Sequence, residues 1–259
     1  MPAQPQTNTR DLLQQIIDLD HARRELSEFE IRALRNQIEA VRKHSPDEGA
    51  VLSAALAFFV GDVDAGVAAV RVAYRTSSSP QMLRVCAQSV TRAGRIIDAL
   101  EFSKEMVNRF PGSAELQSAE VKIAFGAGQM SRVAAGMRRL EAMGATNEEY
   151  DPMSTMAILG ERGHTEDELT AAISAARSFI ASKSLRVRGW IYVASEATSG
   201  VDSHLHYAYN AGLNVDESLD LESGLIDHLL DLDLPIYADG TVVMSITTVD
   251  LGEASAHDG

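Results

Sequence analysis

The chain has 259 residues, of which 45% are apolar and only 5% aromatic, and its formal net charge is −14. This apolar fraction lets the chain bury a substantial core, and the scarcity of aromatic residues favours closely packed helices over an aromatic-rich sandwich or barrel. The single cysteine, Cys86, excludes an internal disulfide and a multi-cysteine metal site. Its place in a predicted core helix indicates a buried, inert thiol.

No segment of the sequence is expected to cross a membrane. The longest uncharged apolar run, residues 49–61, has 13 residues, whereas a spanning helix needs roughly 20. Residues 1–9 lack a basic start followed by an apolar segment, so no signal peptide is expected. They carry two prolines and few apolar residues, so we expect them to be disordered. These features predict a cytoplasmic protein without membrane insertion.

Residues 10–45 are predicted to form an amphipathic helix or a helical hairpin that bends near Ser27. Apolar residues from Leu12 to Leu19, and again from Phe29 to Val41, recur at steps of three and four. Charged residues of both signs stand between them, as on a solvated helical face.

The chain is organised around residues 46–146, where three consecutive segments each combine an apolar helix, a glycine break and a second helix that begins polar. The breaks lie at Gly61, Gly94 and Gly128, so they recur at nearly equal intervals along the chain. An interval of about 34 residues with a helix-turn-helix in each unit is typical of tetratricopeptide repeats.

The segment resembles the tetratricopeptide family in its spacing and its small residues, with repeats that begin at Asp47, Pro80 and Ala114. Gly66 and Ala99 stand where the second helix of a repeat approaches the first closely. The large aromatic residue and the tyrosine that the family carries in the first helix are missing from all three units. The resemblance implies a right-handed α-solenoid, and a non-repeating helical bundle is the alternative.

In this family the first helices of the repeats line a concave groove that holds peptides. The resemblance therefore implies a moderately basic, polar groove in this chain, with one aromatic side chain. Ordinary solvated positions are the alternative interpretation. The residues expected to contact a partner are Arg84, Gln88, Thr91, Arg92, Ser118, Lys122 and Phe125.

Beyond the three repeats, residues 147–215 are predicted to form two degenerate helical repeats. Residues 216–259 are predicted to differ from the helical repeats. An acidic helix comes first, and Asp239-Gly240 between β-branched runs is typical of a hairpin turn. A tail follows the hairpin. The hairpin is expected either to cap the solenoid or to be a recognition strand. The expected fold is therefore all-α, with a small C-terminal helix and a β-hairpin cap.

Acidic charge is concentrated at this C-terminal end. Arg188 is the last basic residue and 13 acidic residues follow it, which leaves 24 acids against 23 bases in residues 1–188. The C-terminal part would repel phosphate, which disfavours nucleic acid, and would attract a basic protein. The residues of this predicted acidic surface are Asp216, Glu217, Asp220, Glu222, Asp227, Asp231 and Asp233.

No residue set in the sequence indicates a catalytic, cofactor or metal site. His204 and His206 form the only cluster that resembles a ligand set, but two residues apart on the predicted helix they would point in different directions. A His-Glu-x-x-His sequence, a phosphate loop and a serine nucleophile elbow are all missing. We therefore expect a protein without enzymatic activity, with an unrecognised enzyme as the remaining alternative.

Two hypotheses of function follow. The first is an adaptor or chaperone that holds a partner segment in the groove through Arg84, Arg92 and Lys122. The second is an inhibitor or immunity-type protein that neutralises a basic partner through residues 216–259. The acidic region is alternatively expected to fold back on the groove, because tethering gives it a high effective concentration there. The expected partner is another protein with a basic or mixed-charge segment, and a homo-oligomer is left open.

Overall fold

The computed structural model describes residues 9–21, 24, 26–145, 150–185, 187–195 and 202–248. Across these ranges the chain forms twelve helices and three strands, so the predicted helical character is confirmed. Apart from Thr9, the segment 1–9 that was predicted to be disordered lies outside the described residues, as does the C-terminal tail. The chain divides into two compact units, Met1–Val90 and Thr91–Gly259.

The first unit is helical. Its second helix begins after Ser27, whose side chain accepts the backbone N–H of Glu30 while the Glu30 carboxylate accepts the N–H of Ser27. This reciprocal cap fixes the start of the second helix, so the segment forms two separate helices rather than one continuous helix. The helices are α1 Thr9–His21, α2 Glu28–His44, α3 Pro46–Phe59, α4 Val63–Thr76 and α5 Pro80–Arg92, the last of which ends just past the unit boundary.

The core of the first unit forms where α1 and α2 pack against α3. Aliphatic side chains from all three helices meet there, so the N-terminal helices cover the apolar face of the first predicted repeat. The buried residues of this cluster are Leu12, Ile16, Leu34, Ile38, Val41, Leu52 and Leu56.

Each predicted glycine break is a turn between two helices. Gly61, Gly94 and Gly128 have φ angles of 82°, 79° and 79°, in the left-handed region that glycine adopts without a steric penalty. At the first break the N–H of Asp62 donates to the carbonyl of Ala57 at 2.9 Å, which closes the end of α3. The repeated turn explains why the spacing located the helix pairs correctly.

Five further helices open the second unit. The first helices of the successive pairs begin at Pro46, Pro80, Ala114 and Pro152. The fourth pair, which corresponds to the first of the two predicted degenerate repeats, follows at a slightly longer interval. The helices are α6 Ile96–Arg109, α7 Ala114–Gly126, α8 Met130–Ala142, α9 Pro152–Arg162 and α10 Glu166–Ser182.

The predicted fifth helical pair is wrong, because that part of the chain forms two strands. Side chains on the second strand alternate between buried and half-buried positions, with Leu205, Tyr207 and Tyr209 buried. That period of two belongs to a strand whose one face is covered. The remaining elements are β1 Gly189–Ser195, β2 His204–Asn210, α11 Val215–Asp231, α12 Pro235–Ala238 and β3 Val242–Thr247.

The predicted hairpin around Asp239-Gly240 is also wrong. These residues end the short helix α12, and β3 pairs with β2 in parallel, while β1 pairs with β2 antiparallel. A strand with a parallel partner needs a long crossover connection, and here α11 and α12 supply it. The backbone N–H of Ile246 on β3 donates to the Glu222 carboxylate of α11 at 2.8 Å. The fold is therefore predominantly helical with a small three-stranded sheet, which is consistent with the expected all-α class.

Candidate partner-binding surface

The acidic helix α11 has a defined start. Asn214 accepts the backbone N–H of Glu217 at 3.0 Å, and the Glu217 carboxylate accepts the N–H of Asn214 at 3.2 Å. The pair satisfies two of the amide groups that a helix start leaves unbonded. Glu217, which the sequence assigned to a partner surface, is therefore engaged within the chain.

One face of α11 packs against α10, α12 and β3. The ring of Phe179 stacks on the imidazole of His228, with 5.1 Å between ring centroids. A Cβ at Gly224 would lie 3.1 Å from Cζ of Phe179, so the small residue lets the ring lie close to the helix. The buried residues of this face are Ser218, Leu221, Leu225 and Leu229.

A second apolar stripe on α11 faces solvent. Val215, Leu219, Ile226 and Leu230 are 61%, 62%, 37% and 55% exposed. Successive members follow one another by four, seven and four positions, which places them along one side of a helix. Exposed apolar side chains aligned along one side of a helix mark interaction sites more often than isolated ones do. We call these four residues the apolar stripe.

A row of aspartates runs beside the apolar stripe. Asp216, Asp220, Asp227 and Asp231 each follow one stripe residue by a single position, which is a rotation of about 100° around a helix. All four are exposed, and among the described residues none of them is in an ion pair. We call these four residues the aspartate row. The helix thus carries an apolar surface bordered on one side by negative charge.

The other predicted acidic residues have different roles. The Glu222 carboxylate is half-buried and accepts the N–H of Ile246, as described above. Asp233 lies in the turn after α11 with a φ of 47°, and its N–H donates to the carbonyl of Leu230 at 3.0 Å. The acidic surface is therefore narrower than the sequence implied, and the aspartate row is its continuous part.

Four of the predicted groove residues lie on α5. Arg84, Gln88 and Thr91 are half-buried and follow one another by four and three positions, so they share one side of the helix, while Arg92 at its end is exposed. The carbonyl of Thr91 is already the acceptor of a long contact, 3.5 Å from a guanidinium nitrogen of Arg177.

The other three predicted groove residues lie on α7, in the second unit. Ser118 and Lys122 are exposed and lie one helical turn apart, so they share one side of the helix. Phe125 is only 5% exposed, because the rings of Tyr150 and Tyr192 lie 4.5 and 5.1 Å from its ring centroid. The aromatic side chain expected to meet a partner is thus covered by the chain's own rings.

The two clustered histidines lie on β2 rather than on a helix, so His204 and His206 project to the same side of the sheet. An imidazole nitrogen of His206, Nε2, lies 2.8 Å from the hydroxyl of Ser245. Across the described residues, no three His, Cys, Asp or Glu side chains are grouped to hold a metal. Cys86 is buried as predicted, and burial raises its pKa to about 12, so it is held as an unreactive thiol.

The apolar stripe is the feature that sequence reasoning missed. Ile226 and Leu230 directly follow the buried Leu225 and Leu229 in the sequence, so local spacing alone groups them with the buried leucines. The position of Val215 and Leu219 separates the two sets. By helical spacing, Ile226 and Leu230 lie on the same side of the helix as Val215 and Leu219, whereas the buried leucines do not.

No protein-family model, curated protein or solved structure matches the chain. The class of protein therefore rests on the paired helices and their spacing, which are compatible with a helical repeat. Within the described ranges, every helix is too short or too polar to span a bilayer.

Proposed function

We propose that the protein is an adaptor or inhibitor that binds another protein, and that it holds a basic amphipathic helix of this partner against α11. The observation that carries the proposal is the apolar stripe with the aspartate row alongside it, both exposed over the full length of the helix. A helix with aliphatic residues at matching spacing and lysine or arginine beside them fits this surface.

The two parts of the surface contribute differently to binding. Burial of the apolar stripe supplies affinity, at about 25 cal/mol per Å² of apolar area removed from water. The aspartates set the association rate and the orientation of the partner, and salt screens their contribution. In the free protein the large aliphatic side chains of the apolar stripe are in contact with water. Their removal from water on binding therefore favours association through the hydrophobic effect.

The helical body fits the role of a scaffold for such a surface. We propose that its helix pairs form a right-handed tetratricopeptide-like solenoid in a cytoplasmic protein, on the support of the repeated left-handed glycine turns and the regular spacing of the pairs. A groove on α7 is a second candidate for partner contact, because Ser118 and Lys122 are exposed on one side of that helix.

Binding of a fluorescent synthetic helix built of leucine and lysine tests the main proposal. Leu219→Ser with Ile226→Ser should weaken binding at least tenfold, because both side chains lie in the apolar stripe. Asp220→Asn with Asp227→Asn should weaken binding at low salt and have little effect at high salt. Ile97→Ser is the matched control, because Ile97 is also exposed, at 54%, but belongs to a different helix, α6.

The second candidate is tested in the same assay. If Lys122→Glu abolishes binding while the α11 variants bind like the wild type, the groove on α7 is the contact surface and the α11 proposal is wrong. Circular dichroism of each variant establishes that the helices are intact. The same variants then serve in affinity purification from the native cell, where loss of the same partner from both α11 variants supports the proposal.

A further inference from the structure

Arg177 is a buried cation without a counter-ion among the described residues. It lies on α10 and is only 2% exposed. Its guanidinium carbon is 5.5 Å from the ring centroid of Tyr209 and 6.0 Å from that of Trp190. The two rings give favourable cation–π contacts, but they do not neutralise the charge.

The guanidinium also has fewer hydrogen-bond acceptors than donors. Its Nε and Nη2 atoms have no hydrogen-bond partner within the described part of the chain. Nη1 has one long contact, 3.5 Å from the carbonyl oxygen of Thr91. A buried charge that is neither paired nor fully hydrogen-bonded is strongly unfavourable, so native proteins compensate it.

The nearest polar side chains are two tyrosines, whose neutral hydroxyls can accept a hydrogen bond but carry no negative charge. The hydroxyls of Tyr207 and Tyr209, on the buried face of β2, make no hydrogen bond of ordinary geometry with a described residue, although the Arg177 guanidinium is close enough to lower the pKa of Tyr209 through a weaker contact. Burial raises the pKa of both tyrosines, and the Arg177 charge only partly offsets this rise. Both rings therefore stay neutral, and neither supplies the missing negative charge.

We propose that Arg177, Tyr207 and Tyr209 bind one small inorganic anion of the halide class. Several N–H and O–H groups meet here with no acid, and a monatomic anion accepts bonds from any direction. Gly126 and Trp190 pack closely against the guanidinium, since a Cβ at Gly126 would lie 3.1 Å from Cζ2 of Trp190 and 3.6 Å from Nη2 of Arg177, so only a small ligand suits this position. The bound anion would link α10 to β2 and stabilise the second unit.

Thermal unfolding in sodium chloride and in sodium gluconate at equal ionic strength tests this proposal. Chloride should raise the Tm of the wild type by about 3 °C or more relative to gluconate, because a ligand that binds only the native state stabilises it. Arg177→Met should remove the difference. This variant is expected to fold, since an apolar side chain of similar length often replaces a buried charge without loss.

Arg138→Met is the control, because Arg138 is exposed on α8, and it should keep the chloride effect. Trp190 is the single tryptophan, so its fluorescence gives a second readout that works even if Arg177→Met fails to fold. Bromide should change the wild-type emission with saturation. Equal Tm values in the two salts, or an emission change that rises linearly without saturation, would overturn the proposal.

Discussion

The ring centroids of Phe125 and Tyr150 lie 4.5 Å apart, and this contact joins the end of α7 to the segment that precedes α9. Tyr192 of β1 meets the same phenylalanine edge-on at 5.1 Å. In a tetratricopeptide groove this position would face a peptide. In this chain the sheet and the α9 segment occupy it, so Phe125 belongs to the core of the second unit.

Replacing Phe125 therefore tests stability rather than binding. Phe125→Ala should lower the free energy of unfolding by about 3–5 kcal/mol, because it removes a buried ring and leaves a cavity. Lys122→Ala, on the same helix but exposed, should change it by less than about 0.5 kcal/mol. Chemical denaturation followed by circular dichroism measures both. Equal, small effects would show that the ring is not part of the core.

Alanine substitutions at two glycines distinguish the energetic cost of a left-handed backbone from the cost of steric overlap with a neighbouring side chain. Gly128 and Gly163 both have left-handed φ angles, at 79° and 76°. A Cβ at Gly128 would lie 2.7 Å from Cγ of Leu169, whereas a Cβ at Gly163 would meet nothing within 4 Å. Gly163→Ala should cost about 1–2 kcal/mol from the left-handed backbone alone.

Gly128→Ala should cost at least about 1 kcal/mol more, because Leu169 must also move. Denaturation curves of the two variants give the difference directly. The prediction is wrong if the two substitutions cost the same, since the overlap with Leu169 would then be relieved without penalty.

These elements also show what the sequence reveals and what it does not. The helix pairs were predictable because the glycine turns at Gly61, Gly94 and Gly128 depend on local backbone conformation. The sheet was not, because β3 pairs in parallel with a strand that two helices separate from it along the chain, and nothing local specifies such a partner. Apolar and aromatic residues at every second position, Leu205, Tyr207 and Tyr209, are typical of a strand. The helical prediction for this segment instead extended the pattern of the preceding helix pairs.

The candidate partner-binding surface on α11 was likewise predictable only in part from the sequence. Charge alone located the aspartate row, since no basic residue follows Arg188. Sequence periodicity could not decide which leucines of α11 face inward, because the helix carries two apolar stripes side by side. Only packing against α10 and β3 makes Leu225 buried and leaves Leu219 exposed.

An ion pair between the buried Glu120 and the half-buried Arg132 connects three helices of the second unit. Oε1 of Glu120 on α7 lies 2.9 Å from Nη2 of Arg132 on α8, and the same nitrogen donates to the carbonyl of Leu100 on α6 at 3.2 Å. Glu120→Ala should destabilise the protein by about 3 kcal/mol, because it leaves the Arg132 charge without its partner. Glu105→Ala on the exposed side of α6 is the control, with an expected effect below about 0.5 kcal/mol. Comparable losses in both variants would contradict a structural role for the pair.

The carboxylate of Asp239 connects the turn before β3 to the start of α10 through hydrogen bonds. Its Oδ2 lies 2.8 Å from Nε2 of His164, and its Oδ1 accepts the N–H of Thr241 at 2.9 Å. Burial alone would raise the pKa of Asp239, but the bonds from His164 and Thr241 outweigh it and lower the pKa from 3.8 to about 2.

Because the pKa of Asp239 is lower in the folded than in the unfolded state, its ionised form stabilises the fold. That contribution is fully present above pH 3.8 and is lost as the pH falls through about 2. Asp239→Asn should therefore be less stable than the wild type near neutral pH, and the two should converge toward pH 2. His164→Gln should give part of the same loss. Urea denaturation across this pH range measures the effect, and a stability difference that does not change with pH would exclude ionised Asp239 as its source.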